Sequence, residues 1–258
     1  VLLFFADHFS VASIMATLLV LLFSMSLHEF GHAAMATWWG DDTPRRMGRL
    51  TLNPLVHINW IGFLMFVVVG FGILGQVPVN PARMRNPRWG SFWTSFAGPL
   101  MNLVTAIVCA IGLRLLFPVP STALNLYFYG DVVPVGNYLG VVPDTIGVFL
   151  IAGVFWNLLL FFFNLLPFFP IDGWRMVLAL LPGYWLRRDQ VPAAIRRNLP
   201  PLSQFLQEPA YKWQQWAMLS QMVLFGLIIL SFVVPRFNVL GALISQPTYE
   251  TMFRLIGL

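Results

Sequence analysis

Four stretches of this chain, at about 9–37, 91–117, 145–167 and 215–235, are long, apolar and nearly free of charge. A helix of about 20 apolar residues crosses the hydrocarbon core of a bilayer. In lipid, only helices and closed barrels satisfy their own backbone groups. The expected fold is therefore an all-α multi-pass membrane protein with about four full transmembrane helices. Composition agrees on the solvent. Hydrophobic residues make up 58% of the 258 and charged residues only 10%, against roughly 25% charged in soluble domains. The run Phe9 to Phe23 has no basic leader and continues into His28, so it is expected to be a retained helix rather than a signal peptide.

A fifth apolar run, 60–75, is shorter and carries Gly62, Gly70, Gly72 and Gly75. It is expected to be a re-entrant hairpin or a short β segment, shielded from lipid by other helices. Basic residues set the sidedness. Arg45, Arg46, Arg49, Arg83, Arg85 and Arg88 lie in 40–90, and Arg175, Arg187, Arg188, Arg196, Arg197 and Lys212 lie in 174–214. The loop 118–144 has neither Lys nor Arg. The positive-inside rule places the first two regions in the cytoplasm and the third outside. One membrane-embedded domain is expected over 1–258, with a core at 10–185. The remainder, 186–258, would hold a C-terminal amphipathic segment and the last transmembrane helix. The Pro-rich segments 118–120 and 192–209 read as loops.

Several function classes drop out. The single cysteine, Cys109, excludes a disulfide within the chain and a multi-thiol metal site. The net charge of +5 is spread through loops, and no basic stretch interleaved with aromatics argues for nucleic acid. The lipid bilayer is the expected partner of most of the surface.

Of the ten carboxylates, eight fall in loops or near termini, where water can solvate them. Glu29 and Asp172 sit instead in apolar surroundings, where an ionisable group marks a functional site. Glu29 belongs to His28-Glu29-Phe30-Gly31-His32. On a helix, positions i and i+4 share a face, so the two imidazoles can bind one Zn²⁺. Glu29, adjacent to a ligand but not itself one, can take the proton of a metal-activated water, the arrangement of His-Glu-x-x-His metalloproteases. Catalytic zinc usually takes a third protein ligand. His57, Asp172 and the near-terminal His8 are the candidates. Depth favours Asp172, because His28 and His32 lie near the cytoplasmic end of the first span and Asp172 follows a span that ends at a similar level.

Four blocks in order carry a wider resemblance. They are His28 to His32; Gly48-Arg49-Leu50-Thr51-Leu52-Asn53-Pro54-Leu55-Val56-His57-Ile58-Asn59; Pro78-Val79-Asn80-Pro81 through Ala97-Gly98-Pro99-Leu100-Met101-Asn102; and Asn164-Leu165-Leu166-Pro167-Phe168-Phe169-Pro170-Ile171-Asp172-Gly173. Over about 10–185 the chain resembles the site-2 protease family of intramembrane zinc metalloproteases, peptidase family M50, in its short bacterial branch without a PDZ domain or regulatory tail. Ile171 stands where that family more often has Leu. The resemblance implies one zinc ion held by His28, His32 and Asp172, Glu29 as general base, and Asn164 against the substrate backbone. Asn53, His57 and Asn102 match family positions and are expected to support the site. The implied substrate is a single-pass membrane protein, cut within or beside the membrane. The run 48–75 is the candidate for a strand edge that an extended substrate could join. A bacterial cytoplasmic membrane is the expected location, with the site toward the cytoplasmic face. The sequence is silent on oligomeric state. Two rivals remain: a metal-ion transporter, which would spread its polar groups over several helices near the midplane, and a catalytically silent relative that binds membrane partners.

Overall fold

The first helix, α1 (Val11–Trp38), shows how this chain sorts its faces. Val11, Met15, Leu19 and Phe23, four residues apart, are exposed along one stripe. Ser13, Ala16, Thr17, Leu21, Ser24, His28 and His32 are buried along another. Small and polar residues therefore face protein and bulky apolar ones face outward, as expected where lipid is the solvent. The structure is a computed structural model that describes residues 11–69, 75–117, 120–129, 141–181, 210–234 and 238–258. His8, Gly70, Gly72, the segment 192–209 and, within the loop 118–144, residues 118–119 and 130–140 lie outside the described residues.

After α1 come two short helices, α2 (Thr43–Arg46) and α3 (Pro54–His57), then α4 (Trp60–Val69), α5 (Pro87–Leu116), α6 (Pro120–Tyr129) and α7 (Val141–Asn164). The chain continues through α8 (Asp172–Leu180), α9 (Ala210–Val233), a π-helical turn at Gly241–Ser245, and α10 (Gln246–Ile256). At the centre α5 packs against α1, α7 and α8. Its start is fixed locally: Pro87 opens the helix and Asn86 Oδ1 accepts from Trp89 N at 3.1 Å. Its buried stripe reads Gly90, Thr94, Gly98, Asn102, Ala106 and Ala110, one small or polar residue every fourth position. That stripe lets backbones approach closely. A Cβ on Gly31 of α1 would stand 2.7 Å from the Ala97 carbonyl oxygen of α5. Farther along, Leu113, Phe117, Tyr127, Ile151, Val154, Leu158, Met252 and Ile256 close the largest apolar core.

Two expectations about the fold require correction. Three helices among the described residues, rather than four, are long and apolar enough to cross a membrane: Val11–Trp38, Pro87–Leu116 and Asp144–Asn164. The stretch 215–235 falls mostly in a helix, α9, which among the described residues counts as a shorter apolar helix over Trp216–Ser231 rather than as a fourth span. Lys212, Gln214 and Gln215 precede that part in sequence, and Pro235 follows the helix.

The second correction concerns 60–75. No strand or sheet occurs among the described residues. Ile58 and Gly75 meet in an isolated antiparallel bridge, and the run between them begins as helix α4. Gly62 falls inside that helix and Gly75 forms the bridge, while Gly70 and Gly72 lie outside the described residues. Asn59 caps its start, Oδ1 accepting from Gly62 N at 3.0 Å. The short β segment expected in this run, and the strand edge assigned to 48–75, are therefore not found among the described residues. A smaller difference is α6, a helix in a region expected to be loop. The chain is nevertheless predominantly helical, with several long apolar helices, as a multi-pass membrane protein requires.

Candidate metal centre

The i, i+4 spacing on α1 brings the two imidazoles together. His28 and His32 have ring centroids 4.6 Å apart in an edge-to-face arrangement, with Nε2 atoms separated by 3.0 Å. Asp172 enters from the first position of α8. Its Oδ2 lies 3.1 Å from His28 Nε2 and 3.2 Å from His32 Nε2. All three side chains are largely withdrawn from solvent. Among the described residues this is the one cluster of His, Cys, Asp or Glu groups suited to a metal ion, and His57 is not part of it.

Each ring is oriented from behind. His32 Nδ1 lies 2.6 Å from the Thr94 carbonyl oxygen, which can only accept, so Nδ1 donates. His28 Nδ1 donates to Asn102 Oδ1 at 2.6 Å. In neutral imidazoles with this tautomer, both Nε2 atoms present lone pairs to each other and to a carboxylate oxygen. Three acceptors held 3.0–3.2 Å apart in a buried pocket repel one another unless a cation sits among them. The separations match the donor set of zinc: with bonds of about 2.0–2.2 Å, a tetrahedral centre places its ligand atoms roughly 3.3 Å apart.

Glycines keep the space open. A Cβ on Gly98 would fall 2.6 Å from His28 Nε2 and closer still to His32 Nε2. On the other side, a Cβ on Gly75 would lie 3.0 Å from Glu29 Oε1 and 2.8 Å from the His57 carbonyl oxygen. Glu29 itself is 3% exposed, and among the described residues nothing donates to its Oε2. An unpaired buried carboxylate oxygen is costly, and such atoms persist where chemistry needs them.

The remaining sequence candidates make contacts of different kinds. Asn102 contacts a candidate ligand directly, as above. Asn53 caps α3, its Oδ1 accepting from Leu55 N at 3.1 Å, and is exposed. His57 is buried; its Nε2 donates to the Thr51 carbonyl oxygen at 2.7 Å, and its Nδ1 has no partner among the described residues. Asn164, the last residue of α7, donates from Nδ2 to the Leu160 carbonyl oxygen at 2.9 Å. Ser26 Oγ donates to the Leu52 carbonyl oxygen at 2.7 Å, tying the 48–59 block to α1 beside Glu29.

Sequence reasoning missed two residues. Asp41, counted among the water-solvated carboxylates, is fully buried. It accepts from Thr43 N, Thr43 Oγ1 and Asn80 N, locking the 78–81 block onto the end of α1. Asn157, in the middle of α7, is also fully buried and bonds Asn102. An amide in mid-span was itself the signal for Asn157, because polar groups at that depth need partners.

A helical, membrane-type fold with a buried His, His, Asp cluster able to hold a metal ion defines the class, and comparison with known proteins narrows it. Residues 16–199 match the family model described as Peptidase family M50, and the chain belongs to that family. YwhC of Bacillus subtilis, which carries a zinc-metalloprotease name, is 36% identical over 164 residues, covering 64% of this chain and 68% of its own length. Rip2 of Mycobacterium tuberculosis strain Erdman, similarly named, is 29% identical over 214 residues, covering 79% of this chain and 64% of its own length. Rip2 of Mycolicibacterium smegmatis is 35% identical over 108 residues, 40% of this chain and 41% of that protein. No solved structure matches.

Proposed function

We propose that this protein is a zinc-dependent intramembrane endopeptidase that cuts single-pass membrane proteins within or beside their transmembrane segments. One observation carries the reading: His28 Nε2, His32 Nε2 and Asp172 Oδ2 converge to 3.0–3.2 Å beside a buried carboxylate, Glu29, with an unpartnered oxygen. One zinc ion per chain fits this donor set.

Bound there, zinc would supply the acidity that makes water a nucleophile near neutral pH and would polarise the scissile carbonyl. The chain supplies the rest. His28, His32 and Asp172 would hold the ion, three protein ligands being the usual number at a catalytic zinc site. Glu29, held on α1 beside both imidazoles in sequence, receives the water proton on its free oxygen and returns it to the leaving amine. Asn164, at the end of the helix that leads to the Asp172 loop, is assigned to the substrate backbone. Its Nδ2 gives one N–H to Leu160, which leaves Oδ1 and the second N–H for that contact. The arginines of 40–90 and 174–214 support a cytoplasmic orientation of this end of the bundle in a bacterial cytoplasmic membrane.

The clustering of polar groups at one centre favours a protease over a transporter, which needs a pathway through the bundle. Reconstitution tests both. Purified protein in liposomes with a single-pass substrate should produce chelator-sensitive cleavage and no zinc flux. Zinc flux without cleavage would replace this reading with transport, and metal binding with neither would leave a catalytically silent relative.

A further inference from the structure

We propose that Asn157 is a positioning residue for the metal centre: acting through Asn102, it fixes the tautomer and rotation of His28. This rests on the reading that His28 holds a metal. Asn157 lies on α7 and belongs to none of the sequence blocks that carry the family resemblance. Its Nδ2 donates to the Gly153 carbonyl oxygen and to Ser24 Oγ of α1, each at 2.8 Å. A carbonyl oxygen can only accept, so this contact decides which end of the Asn157 amide is nitrogen. Its Oδ1 is then turned toward α5, where it accepts from Asn102 Nδ2 at 2.9 Å. That bond in turn leaves Asn102 Oδ1 facing His28, where it accepts from Nδ1 at 2.6 Å. The His28 proton is thereby placed on Nδ1 and the lone pair on Nε2, the atom directed at His32 and Asp172.

The relay crosses three helices and ends at an acceptor that cannot reverse. Asn102 and Asn157 are fully buried, and Ser24 and His28 are 2% and 3% exposed, so water cannot replace a lost partner cheaply. Turning either amide over would set like atoms against each other at two contacts. The device therefore selects the metal-binding tautomer by geometry, well away from solvent.

Titration of purified, metal-free protein with Co²⁺, read by its visible d–d spectrum, and with Zn²⁺ in competition tests this. The wild type should bind Co²⁺ with the spectrum of a low-coordinate nitrogen- and oxygen-ligated site. Asn157→Leu and Asn102→Leu should each weaken binding by about 10–100-fold, the usual effect of removing a group that orients a ligand. Because the two act in series, the double variant should lose no more than Asn102→Leu alone. Ser24→Ala, which leaves Gly153 to orient the amide, should weaken binding less than Asn157→Leu does. Wild-type affinity and spectrum in Asn157→Leu, or losses that simply add, would overturn the proposal. If Asn157→Leu does not fold, Asn157→Ala is held to the same outcomes. A wild type that binds no metal would instead defeat the reading of the metal centre itself.

Discussion

Gly98 of α5 approaches His28 of α1 so closely that a Cβ on the glycine would stand 2.6 Å from the imidazole Nε2. The interhelical stripe of small residues therefore does more than bring two helices together; it leaves the volume in which the three candidate ligands converge.

The first prediction follows from that contact. Gly98→Ala places a methyl group against the ligand atoms of both histidines. It should abolish metal binding, read as metal content after purification, while circular dichroism still shows the helical fold. Full metal content in Gly98→Ala would mean the ion sits elsewhere.

Glu29→Gln separates binding from chemistry. The amide keeps the size of the side chain but cannot accept the water proton. The variant should retain wild-type zinc content and lose cleavage by at least about 10²–10⁴-fold, the usual contribution of a general base. Cleavage at the wild-type rate would remove Glu29 from the mechanism. In cells, the same variant should accumulate an uncut single-pass membrane protein, detectable by comparing membrane proteomes.

Helix α8 presents Asp172 at one end and is clamped at the other. Arg88 Nε donates to the Ala179 carbonyl oxygen at 2.9 Å and Nη2 to that of Leu180 at 3.0 Å. A guanidinium there answers both the free carbonyls and the negative end of the helix. Arg88→Ala should destabilise the protein by about 1–2 kcal/mol. Its drop in melting temperature should be larger with chelator than with zinc, because the metal pins the other end of the helix. Equal melting of variant and wild type under both conditions would show that the clamp is idle.

The legible parts of this site were those written in short-range spacing. His28, Glu29 and His32 can be placed on one helix by counting alone, and the isolation of Asp172 in an apolar stretch marked it as a partner. Tertiary pairing was not legible. Asn157 looks like one amide in a greasy helix until Asn102 and Gly153 are seen around it, and Asp41 looks like an ordinary turn carboxylate until Asn80 arrives from a distant segment. The fold failed to show through where composition was ambiguous. The glycines of 60–75 suggested a re-entrant or strand-like run, yet Trp60–Val69 is helix and accommodates Gly62. The stretch 215–235 reads as a span by its apolar residues, whereas among the described residues it counts as a shorter apolar helix over Trp216–Ser231.

Zinc K-edge X-ray absorption on the purified wild type and on Asp172→Ala addresses the shared-cation claim most directly. The account predicts two imidazole nitrogens and oxygen donors at about 2.0–2.2 Å in the wild type. In Asp172→Ala it predicts affinity weakened by more than about 100-fold, beyond what loss of an orienting group costs. A wild-type spectrum without imidazole scattering, or an Asp172→Ala protein with unchanged zinc content and spectrum, would contradict it.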